Sequence, residues 1–154
     1  MIEFNEQIDV PSAGARAVWN LLSDPHAVVG CVPGAALGEE HEDGTFDGAL
    51  TVKFGPAKVT FRARISLALD VAAMTGSVTA RGKDKQGGTR FHASMSFRVT
   101  EQPAPAGSKV HIEGENEISG KLAQLVESGA KIVIKRMATE FAANLAARCA
   151  GASA

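Results

Sequence analysis

Residues 110–120, VHIEGENEISG, run directly into residues 121–150, KLAQLVESGAKIVIKRMATEFAANLAARCA, and this junction decides how the chain folds. In the first stretch Val110, Ile112, Gly114, Asn116 and Ile118 alternate with His111, Glu113, Glu115 and Glu117. A period of two marks a strand with one face turned inward. After Ser119-Gly120 the period becomes about 3.6, and one helical pattern continues to about Ala150. A helix of that length, following a run of strands, must bury its apolar side on their sheet. A curved sheet gripping such a helix leaves space between them for an apolar molecule.

The preceding segments supply the sheet. Phe46, Gly48, Leu50, Val52 and Phe54 form one inward row. Val59, Phe61, Ala63, Ile65, Leu67 and Leu69 form another, alternating with Lys58, Thr60, Arg62, Arg64, Ser66 and Asp70. A strand from about Met74 to Gly82 follows, then Phe91, Ala93, Met95, Phe97 and Val99 opposite Arg90, His92, Ser94, Ser96 and Arg98. Short turns between them predict an antiparallel meander with one wet face. At the N-terminus Phe4, Glu6, Ile8 and Val10 predict a strand with a mixed inner face. Ser12 reads as the cap of a short helix through Val18, Trp19, Leu21 and Leu22. Asp24-Pro25 restarts a second helix, with Asp as cap and Pro at the first helical position. The expected order is strand, two short helices, about six strands and one long helix: an α+β domain over residues 1–150 with a short disordered tail at 151–154.

Composition narrows the function. Nothing approaches the ~20 apolar residues of a membrane span, and the first residues lack the basic and apolar regions of a signal peptide. Cys31 and Cys149 lie far apart and read as reduced thiols of a cytoplasmic protein. The net charge of −1 argues against nucleic acid. Residues 1–50 carry nine acids and one base, whereas residues 51–154 carry fifteen bases and eight acids. Such asymmetry steers a chain toward a charged partner or surface, unless cross-strand pairs absorb it. Glu113, Glu115 and Glu117 are expected to neutralise Arg90 and Arg98 in that way. No H-x-x-x-H or C-x-x-C spacing is present, so no metal is expected. His26, His41, His92 and His111 have no nucleophile beside them, and Cys31 has no base, so no catalytic residue is assigned.

Several local patterns together resemble one family. They are Val18-Trp19-x-x-Leu22-x-Asp24-Pro25, Cys31-Val32-Pro33-Gly34, Gly44-x-Phe46-x-Gly48 with Val52-Lys53-x-Gly55-Pro56, Gly82-Lys83-Asp84, and Ile118-x-Gly120-x-Leu122-Ala123. The combination resembles the CoxG family of carbon monoxide dehydrogenase subunits, in the START/Bet v 1-like (SRPBCC) superfamily, over nearly the whole chain. The resemblance implies a helix-grip fold: a curved antiparallel sheet around a long C-terminal helix. It further implies a non-enzymatic accessory protein that binds a quinone or lipid beside a molybdenum hydroxylase of the CO-dehydrogenase type. Delivery of quinone and recruitment of the enzyme to the inner face of the plasma membrane are the two roles implied. Family members often carry a membrane-binding tail beyond the domain; here Arg148 to Ala154 follow the helix, and membrane contact is expected to be peripheral.

The cavity expected from the inward rows is lined by Phe46, Leu50, Val52, Phe54, Phe61, Ile65, Phe91, Met95, Phe97 and Ile112. The helix adds Leu125, Gly129, Val133 and Met137, within an apolar arc that also includes Leu122, Val126 and Ile132. Small inward residues, among them Gly48, Gly76, Ala80, Ala93 and Gly114, leave room, or else serve curvature and close packing. Arg136, Glu140 and Asn144, four residues apart inside that arc, are candidate headgroup contacts or a solvent-paired strip. The Asp24–Gly34 segment, shaped by Pro33 and Gly34, and the Phe54–Pro56 turn are candidate entrances. Two alternatives stay open: a ligand-free assembly factor with a filled core, and a cyclase- or hydratase-like enzyme.

Overall fold

The alternating rows become strands of one sheet. The computed structural model describes residues 2–11, 13–103 and 107–153, without the side chains of residues 150–153. In order it contains β1 (Ile2–Val10), α1 (Ala15–Leu22), α2 (Pro25–Val29), β2 (Ala35–Glu40), β3 (Phe46–Phe54), β4 (Ala57–Asp70), β5 (Thr75–Asp84), β6 (Thr89–Glu101), β7 (Ser108–Gly120) and α3 (Ala123–Ser153). Seven strands form one antiparallel sheet in the order β1-β7-β6-β5-β4-β3-β2. The α1–α2 pair connects its two edge strands, and α3 lies across its inner face. This is the expected α+β helix-grip fold.

The expected alternation holds through the long strands. On β1, Ile8 and Val10 are buried and the inward Glu6 is partly buried. The expected burial fails at the far end of β4, where Leu69 is 41% exposed beside the exposed Val71. The β4–β5 hairpin there reaches beyond the cover of the helices. Strand β2 had no sequence counterpart: AALGEE lacks β-branched and aromatic residues, and its register shifts between Leu37 and Glu40. It is held by its neighbour instead. Gly34 leads into it with φ +77°, its carbonyl accepting from Thr51 N at 2.9 Å. Any Cβ at Gly34 would collide with the Thr51 carbonyl, so glycine is required twice over.

Helix ends are satisfied by side chains from distant turns. Asp24 caps α2 as expected, accepting from His26 N at 3.0 Å and Ala27 N at 3.4 Å. For α1 the expectation changes. Ser12 lies outside the described residues, the cap position is Gly14, and no side chain there can accept. Glu101 of β6 substitutes, its Oε2 accepting from Ala15 N at 2.8 Å. At α3, Thr89 Oγ1 accepts from Leu122 N at 2.8 Å and the Gly88 carbonyl accepts from Lys121 N at 3.0 Å. Asp84 fixes that turn by accepting from Thr89 N at 2.7 Å. Two separated sequence patterns, Gly82-Lys83-Asp84 and Gly120-x-Leu122, thus meet at one junction. At the other end α3 continues through Ser153, so residues 151–153 extend the helix where a disordered tail was expected. Residues Ala146–Ala152 contain no proline to stop it. Ala154 lies outside the described residues.

Thr89 is fully buried. Thr89→Val keeps its shape, removes the acceptor and strands the Leu122 N–H. We expect a loss of about 1–3 kcal/mol, read as a lower urea midpoint with an unchanged slope.

Candidate functional site

The interior is divided in two. One buried cluster joins Ile8, Val10, Val18, Trp19, Leu22, Phe97, Val99 and Val110 to Leu145 and Cys149 of α3. Trp19 and Phe97 meet there with ring centroids 5.9 Å apart. The other joins Val52, Phe54, Val59 and Phe61 to Val126 and Val133, with Leu50, Phe91, Leu122 and Met137 packed against it. Helix α3 is therefore seated at both ends. Its main backbone contacts are with β1, β3, β7 and α1, not with the central strands β4, β5 and β6. Between the clusters two inner rows cross the sheet: Phe46, Ile65, Ala80, Ala93, Asn116 and Ile2, then Leu67, Val78, Met95, Gly114 and Phe4. Ile65, Ala80, Ala93 and Met95 belong to neither cluster and are only half-buried, although they face the helix. A well-packed core would cover them. They form a partly open cleft along the middle of the sheet.

The expected lining residues divide accordingly. Leu50, Val52, Phe54, Phe61, Phe91, Val133 and Met137 build one cluster, and Phe97 and Ile112 the other. Phe46, Ile65 and Met95 lie in the rows between. Phe46 is buried, with His26 of α2 edge-on at 6.1 Å. Leu125 is 37% exposed and Ile132 74%, so the apolar arc of α3 is turned from the expected one. It runs through Leu122, Val126, Ala130, Val133, Met137, Phe141 and Leu145. The glycines leave less room than their size suggested. A Cβ at Gly129 would sit 3.0 Å from Phe54, and one at Gly114 2.7 Å from the Ser94 carbonyl and 2.8 Å from Phe4. Ile65 likewise fills the space beside Gly48, and Phe97 that beside Gly76. At these positions the glycines serve close packing.

Neither reading of the Arg136–Glu140–Asn144 strip holds. Arg136 Nη2 donates to the Lys53 carbonyl at 3.1 Å, and Asn144 Nδ2 donates to the Cys31 carbonyl at 3.0 Å. These residues moor the two candidate entrance segments to α3. Lys53 leads into the Gly55-Pro56 turn, and Cys31 leads into the half-buried Pro33 and the exposed Gly34. Glu140 is exposed. At the rim Lys135 Nζ lies 3.2 Å from Glu6 Oε2, which neutralises the one carboxylate carried inward by β1.

Alternation turns Asn116 inward without marking it as a site residue. Its Oδ1 is buried with no hydrogen-bond partner among the described residues. The available signal was an amide in an inward slot otherwise filled by apolar or small residues.

The outer face carries the charge asymmetry. Arg62, Lys83 and Arg90 share one row, and Arg64 and Arg81 the next. They line a hollow of about 760 Å³. Of these five, only Arg64 has an ion pair among the described residues, to Asp47 at 3.5 Å. The expected neutralisation by β7 does not occur. Register sets Glu113, Glu115 and Glu117 opposite Ser96, Ser94 and His92, while Arg90 faces Ser119 and Arg98 faces His111. A basic zone on β4–β6 thus stands beside an acidic zone on β7 and β1. His41 sits at its edge, its Nε2 2.8 Å from Asp47 Oδ1, and this bond holds the Asp47 carboxyl below the usual carboxylate range. Among the described residues no helix is long and apolar enough to cross a membrane, and no cluster of metal-binding side chains occurs.

Comparison with known proteins follows this geometry. The family model for CoxG, the G-type subunit of carbon monoxide dehydrogenase, matches residues 5–150. A conserved protein from Geobacillus kaustophilus is similar in structure, with TM-score 0.77 and 17% identity over 97% of this chain and 94% of that one. A protein from Thermus thermophilus gives 0.70 at 13% identity over 99% and 100%. The Zhui aromatase/cyclase from Streptomyces sp. R1128 gives 0.59 at 16% identity over 96% and 92%. At such identities the likeness is one of fold. Among curated proteins none matches the sequence.

Two outcomes follow from the site. Asn144→Ala should speed amide exchange at residues 31–34 by roughly fivefold, the equivalent of one hydrogen bond; an unchanged rate would mean the segment is held by other contacts. Burial pushes the Cys31 thiol up, against a smaller opposing pull from Arg148. Burial and then the neighbouring Cys31 push Cys149 up. The folded state therefore holds these protons to higher pH than the unfolded chain. Their contribution to stability is complete below the unfolded thiol pKa of about 8.5 and is lost as pH rises above it. Denaturation midpoints measured from pH 7 to 10 should fall, and less steeply in the Cys31→Ala, Cys149→Ala double variant.

Proposed function

The chain belongs to the CoxG family of carbon monoxide dehydrogenase subunits, and we propose accordingly that it is a non-enzymatic accessory protein that holds an apolar small molecule, a quinone or lipid, in the cleft beneath α3. One observation carries the reading: a helix seated at both ends leaves the central apolar side chains half-covered. Apolar surface kept accessible inside a fold favours a ligand that buries it, by about 25 cal/mol per Å². The two entrance segments are held by single side-chain bonds. Either can be released without disturbing the buried clusters.

The partner in this reading is a molybdenum-containing dehydrogenase of the CO-dehydrogenase type, in the cytoplasm and in peripheral contact with the inner face of the plasma membrane. The basic zone of β4–β6 is its docking surface, because uncompensated arginines in a hollow suit a carboxylate-bearing protein. The acidic zone on the same face weighs against laying that face on an anionic membrane. The ligand would then pass between enzyme and membrane without chemical change.

An organic-solvent extract of the purified folded protein, analysed by mass spectrometry beside a titration with a soluble quinone, tests the ligand. We expect a stoichiometric quinone or lipid; an empty extract with no quinone binding moves the function to enzyme assembly. For the partner, Arg62→Glu with Arg64→Glu should weaken binding of the purified dehydrogenase at least tenfold at low salt. Unchanged binding would remove this face from the interface.

A further inference from the structure

We infer that Asn116 is the polar anchor of the cleft, gripping a carbonyl or hydroxyl oxygen of an otherwise apolar ligand. The inference rests on the proposal that the cleft holds such a ligand. Asn116 lies in the row Phe46, Ile65, Ala80, Ala93, Asn116 and Ile2, in which every other side chain is apolar. Its direct neighbour across β6 is Ala93, with Ala80 beyond. These are the smallest side chains of the row, so the amide faces space rather than packing. Its Oδ1 is buried without a partner among the described residues. An unmade hydrogen bond in an apolar setting works against folding, and such a group calls for a partner.

The other polar groups near the cleft are engaged. Arg136 and Asn144 hold backbone carbonyls, and Glu6 is neutralised by Lys135. Glu6 also lies four residues along β1 from the Asn116 row, roughly 13 Å away. The amide remains, and its chemistry is two-sided. Nδ2–H donates to a carbonyl, Oδ1 accepts from a hydroxyl, and rotation about the last side-chain bond exchanges them. One residue can therefore hold both members of a quinone–quinol pair at the same oxygen. It does so without a charge that would bias the site toward either.

Equilibrium dialysis with 2-methyl-1,4-naphthoquinone and with 2-methylnaphthalene separates the outcomes, because the two differ only in the ring oxygens. The wild-type protein should prefer the quinone. Asn116→Leu should bind the quinone about three- to tenfold more weakly, one hydrogen bond's worth. It should bind the hydrocarbon at least as well and melt at a higher temperature. Asn116→Ala, which adds no bulk, repeats the comparison should leucine disturb the fold. A variant that binds both probes as the wild type does would overturn the anchor and leave the cleft intact. Wild-type protein that binds neither probe would overturn the cleft reading and the anchor with it.

Discussion

The junction of Asp84, Thr89 and Leu122 governs where α3 begins and at what angle it crosses the sheet. Three donors are settled there, Thr89 N, Leu122 N and Lys121 N, by a carboxylate, a hydroxyl and a carbonyl of one tight turn. Because β5 and β6 meet at that turn, the helix start is tied to the strands it must span. The far end is fixed differently, by burial of Leu145 and Cys149 among Val18, Trp19 and Phe97. A rod held at two ends over a twisted sheet need not touch its middle. The cleft follows from that arrangement more than from any set of small residues.

This also explains how the moorings differ from the core. The clusters hold α3 through many apolar contacts, which are collectively strong and give way together. Arg136 and Asn144 hold the Lys53 and Cys31 segments through one hydrogen bond each, near solvent. Separate opening of such segments at low cost is a general property of sparsely held loops.

Period-two alternation carried most of the sheet into view, and the Asp24-Pro25 pair marked α2 through its own local chemistry. What stayed hidden depends on partners distant in the chain. Glu101 capping α1 and Thr89 capping α3 involve separations of 86 and 33 residues. Strand β2 is set by Thr51 and β3, not by its own composition. The expected Glu–Arg pairing failed for the same reason. Alternation tells which face a residue takes, but register alone tells what it meets, and a shift of a few residues set the carboxylates against serines. Site residues were legible as inward or outward. Their division into two clusters and a cleft was not, because it depends on where α3 lands. Leu125 and Ile132 show the cost of assuming that landing: both match the helical period, yet face water.

The zoned outer face has a dynamical consequence. With Arg62, Arg64, Arg81, Lys83 and Arg90 on one side and Glu3, Glu113, Glu115 and Glu117 on the other, the sheet carries a lateral dipole although the chain is almost neutral. In the field of another charged body such a molecule feels a torque before it feels a net pull. It arrives turned the right way more often than chance orientation allows. The torque acts only within about the Debye length, ~8 Å at physiological ionic strength. It can therefore align an approach in its last few ångströms while leaving the protein free to diffuse everywhere else.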